Sequence, residues 1–228
     1  MDLLSMRWRH TLFAHWRIDP AIVQEHLPDR LAVATYDGEA WMGVVSFDMV
    51  DIRPRRSPTG LSFPEVNLRT YVEPESGGER GVYFFTLDAA DRLGVTMAKV
   101  GYRLPYHLAT MSARERDGNV EFQSYRPASR DTPAAHFDAS YRPLGDPTPP
   151  EAGSLTEFLV ENYRFYTDEW PIVVGVIDHD PWPIQDVDVE IRANTMFEAC
   201  GFDHPDGDPL VHYARDISVT AEPPAILH

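Results

Sequence analysis

The sequence contains almost no lysine: Lys99 is the only one among 20 basic residues, and the other 19 are arginines. Asp and Glu number 36, which gives a formal net charge of -16 at pH 7. A surface this negative repels nucleic-acid phosphates and anionic membranes, so we expect neither as a partner. Salt near 1 M screens such repulsion within roughly 3 Å. The composition is therefore typical of an acidic, halophilic protein.

Cysteine and long apolar runs are also scarce. Cys200 has no second cysteine for an intrachain disulfide, and the nearby Glu198 and Asp203 disfavour a thiolate nucleophile. The opening segment MDLLSMRWRHTLFAHW has arginines within its apolar stretch and resembles neither a signal peptide nor a membrane span. These absences predict a cytoplasmic protein.

The chain lacks the motifs of several large enzyme classes. It has no phosphate-binding glycine loop, no Gly-x-Ser-x-Gly elbow and no paired-cysteine zinc pattern. His10 and His15 are five residues apart, which is not the i, i+4 spacing of a helical metal pair. The acidic segment 203–208 lacks the spacing and the terminal glutamate of a calcium loop. We therefore expect no metal site and no cofactor.

What the chain does have is enough apolar material for one full core. Hydrophobic residues make up 43% of the 228 residues and aromatics 11%, and β-rich domains often reach roughly 200–250 residues as one unit. Stretches rich in Pro and Gly at 53–60, 74–81 and 143–153 indicate loops. The segment after the last loop is too small to bury its own aromatic residues. Residues 1–228 are therefore predicted to form a single domain.

Local patterns predict two helices and seven strands. Asp19 and Pro20 open a short helix, and Ser154 with Glu157 forms a capping box for a helix whose spacing continues to Tyr166. The predicted strands share β-branched and aromatic residues between turn formers. They are AWMGVVSFDMV, EVNLRTYV, GVYFFTLDA, VTMAKVGYRL, NVEFQSYRP, DVDVEIRA and HYARDISVTA. Seven predicted strands and only two helices favour an α+β fold with a predominantly antiparallel sheet.

The alternation in EVNLRTYV places Asn67, Arg69 and Tyr71 on one face of their strand. Two interpretations fit three large hydrogen-bonding side chains in a row. They form the wall of a cavity, or they form a solvent-facing row on an antiparallel sheet. The spacing alone does not choose between the two.

Six segments occur along the chain in the order LFAHW, NLRTYV, YFFTLDA, RLPYHLATM, EFLVENY and HDPWP. Taken together, they resemble the uncharacterised YqjF-like family of the acetoacetate decarboxylase superfamily. The resemblance implies the superfamily fold, a cone-like antiparallel barrel with a few packed helices and an internal cavity of ligand size. The YqjF-like family has no settled activity to carry over.

The decarboxylases of that superfamily carry the segment Gly-Arg-Glu-x-x-Gly-x-Pro-Lys-Lys, in which one lysine forms a Schiff base with a keto acid. Laid without gaps on AKVGYRLPYH, its proline matches Pro105, its lysines fall on Tyr106 and His107, and its arginine falls on Lys99. Schiff-base chemistry needs a neutral amine, which tyrosine and histidine lack. The resemblance therefore disfavours decarboxylation of acetoacetate by the superfamily's lysine mechanism.

Cationic side chains are the first candidates for ligand binding. Arg69, Lys99 and Arg103 together would give an acidic protein a small cationic lining, as an anionic ligand requires. Asp88 is the carboxylate expected to pair with one of these cations if no ligand does. Lys99 has two interpretations: an amine kept for catalysis within an apolar strand, or a structural partner of an acid such as Asp88.

Polar side chains complete the candidate site. Asn67, Tyr71 and Tyr106 would orient the polar groups of a ligand. Tyr106 and His107 are the groups that could move protons in a catalysed reaction. Their alternative role is structural, at the end of a strand.

Three functional classes remain after these steps. The first is a sensor or carrier that binds a small anionic or keto-bearing organic molecule. The second is an enzyme of the lyase or isomerase type that acts on such a molecule without the Schiff-base lysine. The third is a scaffold whose cavity is filled by its own aromatic residues. The sequence leaves open whether the protein is a homo-oligomer.

Overall fold

The computed structural model describes residues 2–167 and 171–226, and for Leu93 and residues 97–100 it describes the backbone alone. Most of the described residues lie in strands of one sheet. The strands are, in chain order, β1 Leu4–Ile18, β2 Leu31–Val33, β3 Ala40–Pro54, β4 Leu61–Pro74, β5 Gly81–Ala89, β6 Tyr106–Leu108, β7 Thr110–Arg116, β8 Asn119–Arg126, β9 Ala135–Thr148, β10 Arg164–Tyr166, β11 Val173–Asp178, β12 Ile184–Asn194, β13 Leu210–Ala221 and β14 Ala225–Ile226. The helices are α1 Pro20–Gln24, α2 Arg92–Tyr102 and α3 Leu155–Val160, followed by a 3-10 turn Glu198–Cys200.

The strands follow one path through the sheet. Its order is β14-β11-β10-β5-β4-β3-β1-β13-β12-β9-β8-β7, with β2 beside β4 and β6 beside β5. A further pairing of β11 with β13 connects two strands that are far apart on this path. The only parallel pairings among the described strands are those of β5 with β6 and with β10. The α+β class with a predominantly antiparallel sheet is therefore confirmed. The described residues include no helix with the length and apolar character needed to cross a membrane.

Strand β4 separates two apolar clusters. Val66 and Leu68 pack in one cluster, and Tyr71 packs in the other. Asn67 and Arg69 lie on the Tyr71 side, as the alternation predicts, and all three side chains are buried. The interpretation of these residues as a solvent-facing row is therefore wrong.

The segment VTMAKVGYRL is not the predicted strand but most of helix α2. The side chain of Asp91 caps the helix, accepting a 2.7 Å hydrogen bond from the Gly94 amide. The physical reason lies in the topology, because β5 and β6 are parallel neighbours. Parallel strands require a crossover connection, which is usually a helix. The β-branched Val95 and Thr96 favoured a strand locally, and this long-range requirement overrides them.

The two predicted helix starts are confirmed, but the second helix is shorter than predicted. Asp19 caps α1, and the hydroxyl of Ser154 accepts the Glu157 amide at the start of α3. The Glu157 carboxylate accepts the amide of Gly153. Helix α3 ends at Val160, because residues 164–166 pair with both β5 and β11 as strand β10. Pairing in the sheet overrides the helical spacing.

The pairing of β4 with β5 contains one irregularity. Leu68 lies opposite Thr86, but Arg69 lies opposite Phe84, so Phe85 is an extra residue in β5. Such a β-bulge bends the strand locally and changes which face its side chains take. On one side of the bulge Phe84 faces the second apolar cluster, and on the other side Leu87 faces the same cluster.

Candidate functional site

A cavity of about 300 Å³ lies on the Asn67 and Arg69 side of β4. Its wall is mostly apolar and includes the aromatic side chains of Phe13, Phe63 and Trp182. Helix α2 approaches this wall closely at Gly94, where a Cβ atom would lie 2.8 Å from the Phe63 ring. Polar groups in such a wall lose most of their hydration, so their charges interact strongly with anything that binds beside them.

Strand β4 supplies a row of three polar side chains to the wall. Glu65, Asn67 and Arg69 all line the cavity, with exposed fractions of 2%, 3% and 9%. Alternate residues of a strand are about 7 Å apart and point to the same face. The row therefore places an acid, an amide and a cation in order along one side of the cavity.

Glu65 forms a buried hydrogen-bonded pair with Tyr106 of β6. The phenolic hydroxyl donates to Oε2 of Glu65 over 2.7 Å. Burial raises the pKa of Glu65 from 4.5 to about 7, although hydrogen bonds from Tyr106 and Asn67 oppose the shift. Burial and the neighbouring carboxylate raise the pKa of Tyr106 well above its ordinary value, so it remains a phenol at neutral pH.

Arg69 is a buried cation with few partners. Its Nη2 donates to the carbonyl oxygen of Leu159 over 3.3 Å, and its guanidinium carbon lies 5.5 Å from the Phe13 ring centroid and 5.9 Å from that of Tyr71. Its Nε has no acceptor among the described residues. No described carboxylate forms an ion pair with it, although a buried charge is normally paired.

Tyr71 lies behind Arg69, outside the cavity wall that the structure describes. Its hydroxyl donates to the Leu159 carbonyl over 2.6 Å and lies 2.7 Å from Nε2 of His15. Since the Tyr71 proton goes to Leu159, His15 carries its own proton on Nε2. Burial, and to a lesser degree the Arg69 charge, holds the pKa of His15 well below its ordinary value, so the ring is neutral. Tyr71 and Arg69 share the Leu159 carbonyl as an acceptor, and Tyr71 does not line the described cavity, where its predicted role was to orient a ligand.

Asp88 forms a buried ion pair with Arg126, a partner that the sequence did not predict. Both side chains lie on the opposite side of β5 from the cavity, where Arg126 also donates to Thr86 over 2.8 Å. Burial raises the pKa of Asp88 to about 6, and the Arg126 charge opposes this. The nearby Cys200 thiol has its pKa raised to about 12 by burial, so it stays protonated. Asp88 is thus absent from the described cavity wall and does not pair with Arg69.

The remaining predicted residues lie around α2 and β6. Arg103 is exposed at the end of α2 and does not line the described cavity, so the predicted cationic lining of three residues is not formed there. His107 is half-buried, in register with Asp88 and facing away from the described wall. Lys99 belongs to α2 by its backbone, and its side chain lies outside the described residues. The structure therefore brings together Asn67, Arg69 and Tyr106.

Several further polar residues of the wall were not predicted. They include Thr11, Arg53, Asn162 and Arg164 as well as Glu65 and His179. Glu65 is the first residue of EVNLRTYV, and the alternation of that segment places it on the same face as Asn67. His179 had no periodic signal, because it follows β11 in an irregular segment. Its Nδ1 donates to the Asp180 carbonyl over 2.7 Å, and its Nε2 has no partner among the described residues. Burial lowers the pKa of His179, which keeps the ring neutral.

Metal ligation has no support in the described part of the chain. No three His, Cys, Asp or Glu side chains there come together as a metal site requires.

The family of uncharacterized conserved proteins known as DUF2071 matches residues 5–218. The chain belongs to the DUF2071 family. A curated relative, the uncharacterized protein YqjF of Bacillus subtilis (strain 168), is 37% identical over 217 residues. This match covers 93% of the chain and 88% of YqjF. The resemblance drawn from the sequence segments is therefore confirmed.

Solved structures place the DUF2071 fold among acetoacetate decarboxylase-like proteins. The enduracididine biosynthesis enzyme MppR, complexed with pyruvate, aligns with a TM-score of 0.67 at 12% identity and covers 100% of this chain and 91% of its own. An acetoacetate decarboxylase-like enzyme from Sphingomonas wittichii RW1 aligns with a TM-score of 0.65 at 15% identity, covering 100% and 94%. At these identities the likeness concerns the fold alone. The predicted similarity to acetoacetate decarboxylase-like proteins is confirmed for a mostly antiparallel sheet with few helices.

Proposed function

We propose that the cavity binds a small organic carboxylate, and that the preferred ligands are keto acids. The observation that carries this proposal is Arg69, a buried guanidinium in an apolar wall without an ion-pair partner among the described residues. A ligand carboxylate would supply the missing partner and could accept two parallel hydrogen bonds from the guanidinium.

The size of the cavity supports a small ligand. At about 300 Å³ it lies at the lower end of the range for ligand pockets, roughly 300–1,000 Å³. The apolar wall suits a short carbon chain, while Asn67 offers an amide within the same row as Arg69. A carboxylic acid of a few carbons that carries one keto group matches these features.

The preference for a keto acid is supported by the similarity of this fold to that of MppR. The MppR structure holds pyruvate, so we take pyruvate as the first test ligand, although the identity to that enzyme is 12%. If the protein is a sensor or carrier, it has only to bind the ligand, and Arg69 supplies the charge for this. Catalysis on the same ligand is the second candidate, and the buried pair of Glu65 and Tyr106 favours it.

Thermal unfolding with added ligands tests the proposal. Pyruvate and acetoacetate should raise the melting temperature in a saturable way, because a ligand bound by the folded state stabilises it. Methyl pyruvate is the matched uncharged compound and should have no such effect. Measurements in high salt reduce the repulsion between the anions and the acidic protein.

The Arg69→Met variant links the effect to the cavity. It loses one hydrogen bond and no described ion pair, so its free energy of unfolding should fall by only about 1 kcal/mol. Stabilisation by pyruvate should disappear. Arg80→Met is the control, because Arg80 is a half-buried arginine stacked 4.4 Å from the Phe158 ring centroid and outside the described cavity wall. An Arg69→Met protein that pyruvate stabilises normally would remove Arg69 from the site.

A further inference from the structure

The cavity wall contains an acid that ligand binding does not require. We propose that Glu65 is a catalytic acid–base group, which removes a proton from the carbon beside the carbonyl of a bound 2-oxo acid and returns it, while Tyr106 positions the carboxylate. The activity is keto–enol proton transfer, and it rests on the proposed binding of the acid by Arg69.

The environment of Glu65 is that of a base rather than of a structural ion. Its carboxylate lines the cavity, and no described cation forms an ion pair with it. The Tyr106 hydroxyl donates a hydrogen bond of 2.7 Å to Oε2 of Glu65. A buried carboxylate without a cation attracts protons more strongly than a paired one does.

The order of the β4 side chains suits the substrate. Glu65 and Arg69 are four residues apart, about 13 Å between Cα atoms, with Asn67 between them on the same face. Both side chains line the same cavity on either side of Asn67, so a molecule of a few carbons can lie between them. A carboxylate at Arg69 would then place the carbonyl of a 2-oxo acid near Asn67 and the next carbon near Glu65.

The proposed step is balanced without another reactant. Glu65 takes a proton from the carbon beside the carbonyl. The electrons of the broken C–H bond form a C=C bond, and the carbonyl π electrons move to oxygen as an enolate. Reversal returns the proton to carbon. The amide of Asn67 and the charge of Arg69 are the groups in the row that can stabilise the enolate oxygen.

The acidity of the pair fits this role. Burial raises the pKa of Glu65 to about 7, and a general base works best when its pKa lies near the working pH. Tyr106 stays protonated and serves as a fixed hydrogen-bond donor. Its role is positioning, because the proton is transferred between the substrate carbon and Glu65.

Isotope exchange measures the step without any net reaction. The protein is incubated with pyruvate in D2O, and loss of the methyl signal is followed by proton NMR. The parent protein should exchange the methyl protons faster than buffer alone. Glu65→Gln keeps an acceptor for Tyr106 but cannot take a proton, so exchange should fall about 100-fold. Stabilisation of this variant by pyruvate is measured alongside, so that a loss of exchange is distinguished from a loss of binding. The control is Glu73→Gln, an exposed glutamate of the same strand, which should exchange like the parent.

Tyr106→Phe separates positioning from mere packing. Exchange by the parent should rise with pH, with a midpoint near the pKa of Glu65. The hydrogen bond from Tyr106 favours the carboxylate, so its loss should move the midpoint to higher pH. A purely structural tyrosine would leave the midpoint unchanged.

The outcomes separate this inference from the proposed function. A parent protein that is stabilised by pyruvate but exchanges no faster than buffer, or a Glu65→Gln variant that exchanges like the parent, overturns the role of Glu65 and leaves ligand binding intact. A parent protein that pyruvate does not stabilise overturns the proposed binding of pyruvate, and this inference with it.

Discussion

The Tyr106 hydroxyl donates a 2.7 Å hydrogen bond to Oε2 of Glu65, where both side chains are buried. Two influences act on Glu65 in opposite directions. Burial favours the protonated acid, while the hydrogen bonds from Tyr106 and Asn67 favour the carboxylate. Burial is the larger, so the folded protein holds a proton on Glu65 at pH values where the unfolded chain has released it.

This difference predicts a dependence of stability on pH. The pKa of Glu65 rises from 4.5 to about 7 on folding, so its contribution to stability is lost as the pH rises through this range. Glu65→Gln has no such loss. Relative to the parent, this variant should gain about 3 kcal/mol in free energy of unfolding between pH of about 4.5 and about 8. Denaturant unfolding of both proteins at several pH values measures it, and a constant difference would contradict the assigned pKa.

The absence of the motif lysines predicts a negative trapping experiment. Incubation with acetoacetate followed by borohydride should leave the protein mass unchanged, because Tyr106 and His107 cannot form an iminium. A lysine-bearing acetoacetate decarboxylase treated in parallel is the positive control. An adduct mapped to Lys99 would contradict the prediction and return the Schiff-base mechanism to consideration.

The buried pair of Asp88 and Arg126 predicts a large cost when it is broken. Arg126→Met leaves a buried carboxylate without its cation and should lower the free energy of unfolding by about 3–5 kcal/mol at neutral pH. The double variant Asp88→Leu, Arg126→Met removes both charges and should recover much of this loss. Chemical denaturation of the three proteins tests the pair. A single variant as stable as the parent would show that the pair contributes little.

The acidic composition predicts that salt stabilises the protein. With 36 carboxylates and a formal net charge of -16, self-repulsion should lower the melting temperature in dilute buffer relative to about 2 M potassium chloride. Calorimetry in the two solutions, repeated with sucrose to exclude a general solute effect, tests this. Equal melting temperatures would contradict halophilic character.

Local patterns predicted the parts of the fold that depend on neighbours in sequence. Six of the seven predicted strands are present, and the faces of β4 are correct because alternation follows from strand geometry alone. Helix α2 was mistaken for a strand, because the parallel pairing of β5 with β6 that requires it depends on residues distant in sequence. Strand β1 was missed for a similar reason: its pairing with β3 and β13 stabilises a sequence with few local strand signals.

The candidate site was predicted in part. Asn67 and Arg69 follow from alternation in β4, and Tyr106 follows from its place in the superfamily motif. Glu65 could have been predicted from the same alternation, because it lies two residues before Asn67. Asp88 and Arg103 were assigned to the ligand site, but the structure places neither of them there. Excluding Asp88 required knowledge of its partner Arg126, which lies far away in the sequence. Excluding Arg103 required knowledge that the preceding segment is a helix and not the expected strand.

The extra residue Phe85 determines which side chains of β5 share a face. Val82 and Phe84 precede it and Leu87 follows it, and all three line the cavity, which strict alternation would forbid. Deleting Phe85 would leave Phe84 and Leu87 two residues apart, so ordinary alternation would keep both side chains on the cavity face. The deletion would instead remove the Phe85 ring from the other apolar cluster, where its centroid lies 4.9 Å from that of Phe202. Relatives that share this cavity should therefore be able to lose position 85 without exchanging the two faces of β5.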